Sequence, residues 1–448
     1  MLIRFTVENF LSFKDEVEFS MVAGLPRKHK EHVIGTGRGK DVRTLKTAIL
    51  YGANAAGKSN LIKAMAFVQR MVVASLDDKQ SIPVTPFRLD NSMRNQPSRF
   101  EFEIRCGSTA YIYGFEADSK QVRSEWLSEL RPSSEAMLFE RRTDSEGKTS
   151  VDLGKLSFTA EHDLGFMKYI ETGTRENELY LKKTILNRVE YFKDVYEWFD
   201  DSLRFVFPNP RSGIVETSHK THIEFESDSR DIIELFDLGI ENVKLESSES
   251  LLPNLLLQDI ADMHHERDQD VAIQFPSQNV YIFVSANKDV STRKFMTVHK
   301  VLDDGLEVDE EDFELSDESD GTQRLFELSS AMLGLLGGNG DRVYIIDELD
   351  RRLHPRITKH IVDIFLKNSA NQASQMIVTT HESSLLDLDL VRRDEIWFVE
   401  KNSEGISTLY SLEEYAPRYD VDVQKGYLQG RYGAIPIVPS YNVLEWAR

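Results

Sequence analysis

The chain has 448 residues, of which 40% are hydrophobic and 10% aromatic, and only 13 are prolines. This composition excludes a mainly disordered protein, because disordered segments lack the aromatic residues that bury surface. The length exceeds one average domain and predicts two or three substructures. The single cysteine, Cys106, excludes an internal disulfide and any cysteine-rich metal cluster.

The net charge of −21 would oppose binding to a phosphate backbone if it were spread evenly over the surface. Eleven acidic residues, however, fall within the 18 positions from 303 to 320, where no basic residue occurs. We interpret this acidic run as a solvated loop, with docking of a basic partner as the alternative. Basic residues cluster over 27–30 and 38–43, which we interpret as exposed loop charges.

The sequence contains no stretch of roughly 18 consecutive apolar residues, the length that a membrane helix needs. Residues 1–8 alternate like a strand and do not form the apolar core of a signal peptide. We therefore expect a cytoplasmic protein without a membrane partner.

Apolar residues at short, β-like spacing between Leu2 and Phe19 predict a hairpin, which a loop over 24–43 follows. The apolar run Thr47–Tyr51 predicts a buried strand that leads into a helix. Alternating patterns between 98 and 127 predict further strands in antiparallel pairs.

Apolar residues at three- and four-residue steps predict a helix within 155–205, ending before Pro208. Further helices are predicted over 231–236 and 251–265, and strands over 279–284 and 295–301. We predict that residues 1–125 and 291–448 form the two parts of an α/β domain and that residues 126–290 form a mainly helical insertion. This insertion is the predicted region for contacts with an oligomer or a partner.

The segment that follows the predicted strand at 47–51 matches the pattern G-x-x-x-x-G-K-[ST] at every position, and Asn60 begins the helix behind it. Its residues are Gly52, Ala53, Asn54, Ala55, Ala56, Gly57, Lys58 and Ser59. Glycines let backbone N–H groups turn toward phosphate oxygens, and the helix N-terminus favours the same anion. We predict that residues 52–60 bind ATP, with Lys58 on the β- and γ-phosphates and the Ser59 hydroxyl on Mg²⁺. A glycine loop that only caps a helix is the alternative.

A second apolar strand, predicted over 342–346, ends in the carboxylates Asp347 and Glu348. We predict that Asp347 holds the magnesium ion and that Glu348 takes a proton from the attacking water. A strand followed by an acidic turn is the alternative. A third apolar strand, over 375–380, ends in His381, at the sheet edge where ligands collect in open α/β sheets.

The order of these motifs resembles the head of ABC-type ATPases of the SMC, RecF and OLD class, and the resemblance extends over essentially the whole chain. It implies an α/β P-loop fold with a mixed sheet, an antiparallel β lobe and an inserted, mainly helical region. Its signature motif matches Ser319 and Gly321, its D-loop aspartate matches Asp350, and its histidine switch matches His381. The signature departs from Leu-Ser-Gly-Gly-Gln at Glu318, Asp320 and Thr322. No Q-loop residue is assigned, although 86–88 is the stretch where one is expected.

The resemblance implies that the signature of one copy completes the ATP site of another, so that the heads form a homodimer or a higher homo-oligomer. The opening 8–13, Leu353–Pro355 and the tail 427–436 are similar to the RloA and AbiL kind of bacterial ATPase. That group is associated with phage defence or abortive infection and is usually encoded beside an effector, often a Toprim-like nuclease. For the tail, a terminal loop packed on the core and a docking site for a partner stay open.

The sequence therefore favours a magnesium-dependent ATPase that works as a switch or scaffold for a separately encoded nuclease or toxin. The alternative is a RecF-like repair ATPase that binds DNA itself, although the net charge does not indicate a nucleic-acid partner. A further alternative is that the middle region is itself the toxic module.

Overall fold

The computed structural model describes residues 1–25, 28–35, 42–74, 76–77, 80–131, 134–154, 161–208, 215–218, 222–247, 271–275, 280–285, 289–303, 306–336, 341–369 and 373–436. The chain divides into two compact units. The first unit comprises 1–205, 338–349 and 363–448, and the second comprises 206–337 and 350–362.

The strands are numbered in chain order. They are β1 (Leu2–Glu8), β2 (Val17–Ser20), β3 (Val33–Ile34), β4 (Thr44–Leu45), β5 (Thr47–Tyr51), β6 (Ser98–Cys106), β7 (Thr109–Ala117), β8 (Val122–Arg131), β9 (Ser134–Thr143), β10 (Thr149–Asp152), β11 (Leu203–Val206), β12 (Val215–Ser218), β13 (Asn242–Ser247), β14 (Val271–Phe275), β15 (Val280–Val284), β16 (Val290–Asp303), β17 (Leu306–Glu314), β18 (Val343–Ile346), β19 (Gln375–Thr379), β20 (Ile396–Lys401) and β21 (Ser407–Ser411). The helices are α1 (Lys58–Val73), α2 (Glu161–Gly173), α3 (Tyr180–Leu186), α4 (Lys193–Glu197), α5 (His222–Phe236), α6 (Asp320–Leu336), α7 (Pro355–Asn368) and α8 (Val423–Leu428).

A mixed sheet in the order β11-β18-β19-β5-β20-β21 forms the centre of the first unit. Strands β18, β19, β5 and β20 are parallel, and β21 pairs antiparallel with β20. Every residue of β5, β18 and β19 is buried, which explains why these segments read as continuous apolar runs and do not alternate. Because the strands are parallel, their carboxyl ends lie at one edge of the sheet.

A seven-stranded antiparallel sheet in the order β10-β9-β8-β7-β6-β1-β2 completes the first unit. The side chain of Gln375, at the start of β19, is fully buried and connects this sheet to the mixed sheet. Its Oε1 accepts a hydrogen bond from the N–H of Leu2 at 2.7 Å, and its Nε2 donates to the carbonyls of Leu2 and Leu45 at 3.0 and 2.9 Å. The mixed sheet with an antiparallel lobe confirms the predicted α/β fold class.

The second unit is built around a sheet in the order β12-β14-β15-β16-β13, with β17 paired to β16. Its core joins one face of this sheet to helices α5 and α6. The core residues are Ile233, Ile240, Val243, Leu245, Tyr281, Phe283, Phe295, Leu315 and Phe326.

The structure differs from the predicted division of the chain. The boundary predicted after residue 125 falls inside β8, and the one predicted after 290 falls at the start of β16. The described part of 126–290 is not mainly helical, because it contains β9 and β10 of the first unit and most of the sheet of the second. The alternation of β9 is weak in the sequence because the charged Arg141 occupies a buried position while the apolar Met137 and Leu138 are only partly buried. The predicted helix over 251–265 and the basic residues Arg27, Arg38 and Lys40 lie outside the described residues.

The acidic run is not a loop. Residues 306–314 form β17, which pairs antiparallel with β16 along its whole length. Lysines on neighbouring strands neutralise part of the run: Lys244 Nζ lies 2.9 Å from Asp312, and Lys294 Nζ lies 2.9 Å from Glu314. The basic partners that allow this acidic segment to form a strand therefore lie on other strands. Counting charges along the sequence of the segment does not find them.

The tail of the described chain packs on the mixed sheet. The rings of Tyr427 and Tyr432 stack on Phe398 of β20, with centroids 5.6 and 6.1 Å away, and the Tyr410 hydroxyl donates to the Tyr432 carbonyl. This arrangement favours the packed terminal loop among the two interpretations of the tail. No helix in the described ranges is long and apolar enough to cross a membrane.

Lys182 of α3 generates a prediction about stability. Its side chain is buried, and its Nζ donates to the carbonyl of Val73, the last residue of α1, at 2.6 Å. Burial lowers the pKa of Lys182 to about 8. Between that pH and the ordinary lysine pKa the unfolded chain binds the proton and the folded chain does not, so stability should rise with pH.

We expect the melting temperature of the wild type to increase relative to Lys182→Met as the pH rises from 8 to 10. Lys193→Met, at an exposed position of α4, corrects for the loss of one positive charge, and a flat difference between wild type and Lys182→Met would contradict the prediction.

Candidate nucleotide-binding site

The loop between β5 and α1 has the conformation that its glycine pattern predicts. Gly57 has a φ of +123°, which residues with side chains rarely adopt. A Cβ atom at this position would lie 2.4 Å from Ser407 Oγ and 2.9 Å from Ser407 Cβ. Gly57 therefore leaves room for the backbone where the loop enters the helix.

The N-terminus of α1 has the properties of an anion site. Its first turn has no acidic residue, and within the described part of the chain no side chain caps it. The N–H groups of a first helical turn and the helix dipole both favour negative charge. Together with the glycine-shaped loop, this terminus suits a phosphate group.

Lys58 lies across this loop. Its Nζ donates to the carbonyl of Gly52 at 2.8 Å and lies 3.2 Å from Nε2 of His381. The lysine comes from the start of α1 and the histidine from the end of β19. The structure thus brings together two side chains that are more than 300 residues apart and that the sequence assigned to one site.

Asp347, at the end of β18, is buried and held by two hydroxyl groups. Its Oδ1 accepts hydrogen bonds from Ser59 Oγ at 3.0 Å and from Thr379 Oγ1 at 2.6 Å. A serine hydroxyl beside a carboxylate is the oxygen-ligand chemistry that Mg²⁺ takes in nucleotide sites. These residues, next to a loop that a Cβ would fill, fit a magnesium nucleotide, with Ser59 and Asp347 as the residues that would hold the metal.

Glu348 follows Asp347 in a left-handed backbone conformation, with a φ of +53°. Its N–H donates to Thr379 Oγ1 at 2.8 Å. The hydroxyl of Thr379 therefore fixes both the Asp347 carboxylate and the backbone of Glu348, the residue predicted to act as a base.

Sequence reasoning missed Thr379 and the polar residues around the P-loop. Ser407 Oγ donates to the carbonyl of Ala56 at 2.6 Å and lies 2.8 Å from Ser12 Oγ, to which Asn60 Nδ2 also donates at 2.8 Å. The position of Thr379 two residues before His381 was a usable signal. Ser12 and Ser407 carry none, because only the fold brings the two ends of the chain to the loop.

The predicted signature and D-loop residues belong to the second unit. Ser319 precedes α6, and its Oγ accepts from the N–H of Thr322 at 3.2 Å, so it caps that helix. A Cβ on Gly321 would approach the Arg352 carbonyl to 3.1 Å, and Glu318 contacts the ring of His299 at 2.6 Å. The carbonyl of Asp350 accepts from the N–H of Leu353 at 3.1 Å.

A P-loop between a central parallel strand and a helix, with a carboxylate at the end of another parallel strand of the same sheet, defines a P-loop nucleoside triphosphatase domain. The family model described as "AAA domain, putative AbiEii toxin, Type IV TA system" matches residues 48–387. The chain belongs to this family and is an AAA-type ATPase domain.

Among solved structures, the chain is similar to heads of SMC proteins. One is an Smc head bound to the C-terminal winged-helix domain of ScpA, with 14% identity over 93% of this chain and 99% of that chain and a TM-score of 0.36. The SMC head domain from Thermotoga maritima has 13% identity over 92% and 98% of the two chains and a TM-score of 0.30. An Smc head with an extended coiled coil, bound to the C-terminal domain of ScpA derived from Pyrococcus furiosus, has 14% identity over 93% and 98% and a TM-score of 0.35. No curated protein matches the sequence.

Gly57→Ala should weaken nucleotide binding at least tenfold, because the new methyl group collides with Ser407 and the loop cannot keep its φ. A titration with a fluorescent ATP analogue measures the effect. The control is Gly165→Ala in α2, where a Cβ meets no heavy atom within 4 Å. Equal affinities of Gly57→Ala and wild type would show that the loop has another conformation.

Thr379→Val keeps the side-chain volume but removes the hydroxyl that Asp347 and Glu348 share. Loss of a buried hydrogen-bond partner costs about 1–3 kcal/mol, so we expect a lower melting temperature and at least tenfold slower ATP turnover. Thr358→Val is the matched control, because the buried Thr358 Oγ1 has no hydrogen-bond partner among the described residues. If both variants behave alike, Thr379 does not organise the site.

Proposed function

We propose that this protein is a magnesium-dependent ATPase that acts as a switch for a separately encoded effector, a nuclease or toxin, in bacterial defence against phage. The observation that carries the proposal is the meeting of Lys58, Ser59, Asp347 and His381 at one edge of the mixed sheet. Asp347 and His381 follow the neighbouring parallel strands β18 and β19, and Lys58 and Ser59 begin α1 behind β5, so the site depends on the complete fold of the first unit.

Each residue has a distinct role in the proposed hydrolysis. Lys58 binds the β- and γ-phosphates, and His381, 3.2 Å from its ammonium group, senses whether the γ-phosphate is present. Glu348 takes the proton of the attacking water, with its backbone held by Thr379. Ser59 and Asp347 would hold magnesium, which would neutralise charge on the phosphate oxygens.

Ser319, Gly321 and Asp350 are proposed to act across a dimer of heads. A serine that caps a helix and a glycine without a side chain present hydroxyl and backbone groups, which suit the phosphates of a nucleotide bound to a second copy. In this proposal ATP joins two copies and hydrolysis releases them. A change of that size gives an effector two states to recognise.

The role in defence is supported by the family description, which names a putative toxin of a type IV toxin–antitoxin system. It is also supported by the resemblance of the opening, the D-loop region and the tail to the RloA and AbiL kind of ATPase. The proposed effector is the product of a neighbouring gene, of Toprim-like nuclease or toxin type. Lys28, one of the basic residues on which the RecF-like alternative depends, pairs with Asp389 at 2.9 Å, which gives that alternative less support.

Lys58→Ala should abolish ATP binding, whereas Glu348→Gln should retain binding, lower turnover at least a hundredfold and trap the dimer. Turnover assays and mass measurements of the particle with and without ATP test both variants. The control is Lys63→Ala, at an exposed position of the same helix. Normal turnover in Glu348→Gln would contradict the assignment of the base.

The product of the neighbouring gene should copurify with the wild type, dissociate from Lys58→Ala and remain bound to Glu348→Gln or bind more tightly. Failure to copurify under any nucleotide condition contradicts the switch. A filter-binding titration with duplex DNA at two salt concentrations examines the alternative. Tight, ATP-dependent and steeply salt-dependent binding without a partner would favour a RecF-like protein.

A further inference from the structure

We propose that His29, Glu31 and His32 form a binding site for one divalent cation of the zinc class. The three residues lie in the segment before β3 and each offers one ligand atom, with all of these atoms within 4.8 Å of one another. Glu31 Oε1 lies 3.5 Å from His29 Nδ1 and 3.8 Å from His32 Nε2. None of the three belongs to the nucleotide site.

Two of the three separations are close to the size that a tetrahedral zinc site requires. Zinc bonds to histidine nitrogen and carboxylate oxygen of roughly 2.0–2.2 Å place two ligand atoms of a tetrahedron about 3.4 Å apart. The two measured separations from Glu31 Oε1 are within a few tenths of an ångström of that value. The two histidine nitrogens lie within 4.8 Å of each other, so binding of a cation would draw the two rings toward the tetrahedral separation.

The second nitrogen of each histidine ring is already held by an acceptor. His29 Nε2 lies 3.1 Å from the Leu388 carbonyl, which can only accept, so Nε2 carries the hydrogen and Nδ1 presents its lone pair. His32 Nδ1 lies 3.1 Å from both oxygens of the fully buried Glu395, which likewise directs the lone pair of Nε2 outward. Histidine metal ligands have this arrangement, in which a carboxylate or carbonyl fixes the tautomer and the ring.

Three acceptor atoms therefore lie around one point. They are one nitrogen of each imidazole ring and one oxygen of the Glu31 carboxylate. Such atoms repel one another unless a cation lies between them. The two rings stack, with their centroids 4.7 Å apart and an interplanar angle of 19°. The contacts of His32 with Glu395 and of His29 with Leu388 fasten the segment to the fold and leave one nitrogen of each ring beside Glu31.

The environment indicates the kind of site. His32 is buried, whereas the Glu31 side chain is 55% exposed, so solvent reaches one side of the cluster. Three protein ligands leave a fourth position for water. Two imidazoles with one carboxylate favour zinc over magnesium or calcium, which prefer oxygen ligands alone. The cation would connect the segment before β3 to the turn before β20, where Leu388 and Glu395 lie.

The test uses the tag-free full chain, stripped of metal with a chelator and kept in excess Mg²⁺ so that Ser59 and Asp347 do not bind zinc. Competition with a chromogenic chelator should give one Zn²⁺ per chain, and Co²⁺ should give the intense visible absorption of a tetrahedral site. His29→Gln and His32→Gln should each weaken zinc binding at least a hundredfold. His354→Gln, at an exposed position of the second unit, is the matched control and should bind as the wild type does.

Two further variants separate ligation from folding. Glu31→Gln changes an exposed side chain and should weaken binding while leaving the melting temperature of the metal-free protein unchanged. Glu395→Gln should weaken zinc binding by about 10- to 100-fold although Glu395 is not a ligand, because it orients His32. The proposal is overturned if the wild type does not bind zinc, if Glu31→Gln and the two histidine variants bind as the wild type does, or if the Co²⁺ spectrum is that of an octahedral site.

Discussion

The candidate nucleotide site depends on the hydrogen bonds that the carboxylate of Asp347 accepts. A buried carboxylate is stable only when its oxygens accept hydrogen bonds or bind a cation. Here the donors are Ser59, from the helix behind β5, and Thr379, from the end of β19. These contacts form only when β18, β19 and β5 lie side by side and in register. The hydrogen bonds that the buried carboxylate needs therefore depend on the strand order of the sheet, and they in turn stabilise that order.

Much of the site was predictable because its motifs are local or follow from parallel strands. Residues 52–59 are contiguous, and Asp347 and His381 each follow an apolar run whose carboxyl end must lie at the same edge of the sheet. Thr379, Ser12 and Ser407 were not found, since their importance depends on contacts between distant segments. The acidic run and β9 show where prediction from the sequence fails. Their charged residues obscure the strand pattern, because the partners of these residues lie on other strands.

Polar contacts, as well as apolar ones, connect the parts of the first unit. Gln375 joins the antiparallel sheet to the mixed sheet through two hydrogen bonds to the backbone of Leu2, and a third reaches Leu45 of β4. Glu395 holds the segment before β3 through His32 in the same way. Because an unpaired buried amide or carboxylate is costly, such contacts permit few alternative packings and give the unit a defined arrangement.

The wall of the P-loop comes from both ends of the chain, since Ser12 and Ser407 meet beside Ala56 and Gly57. During synthesis the glycine loop leaves the ribosome early, but Ser407 emerges some 350 residues later. Strands β19 and β20, which flank β5 in the finished sheet, also come late. A nascent product that stops before Ser407 therefore carries the complete P-loop motif without the surroundings that shape it, and only a polypeptide that extends beyond Ser407 can form the wall of this loop.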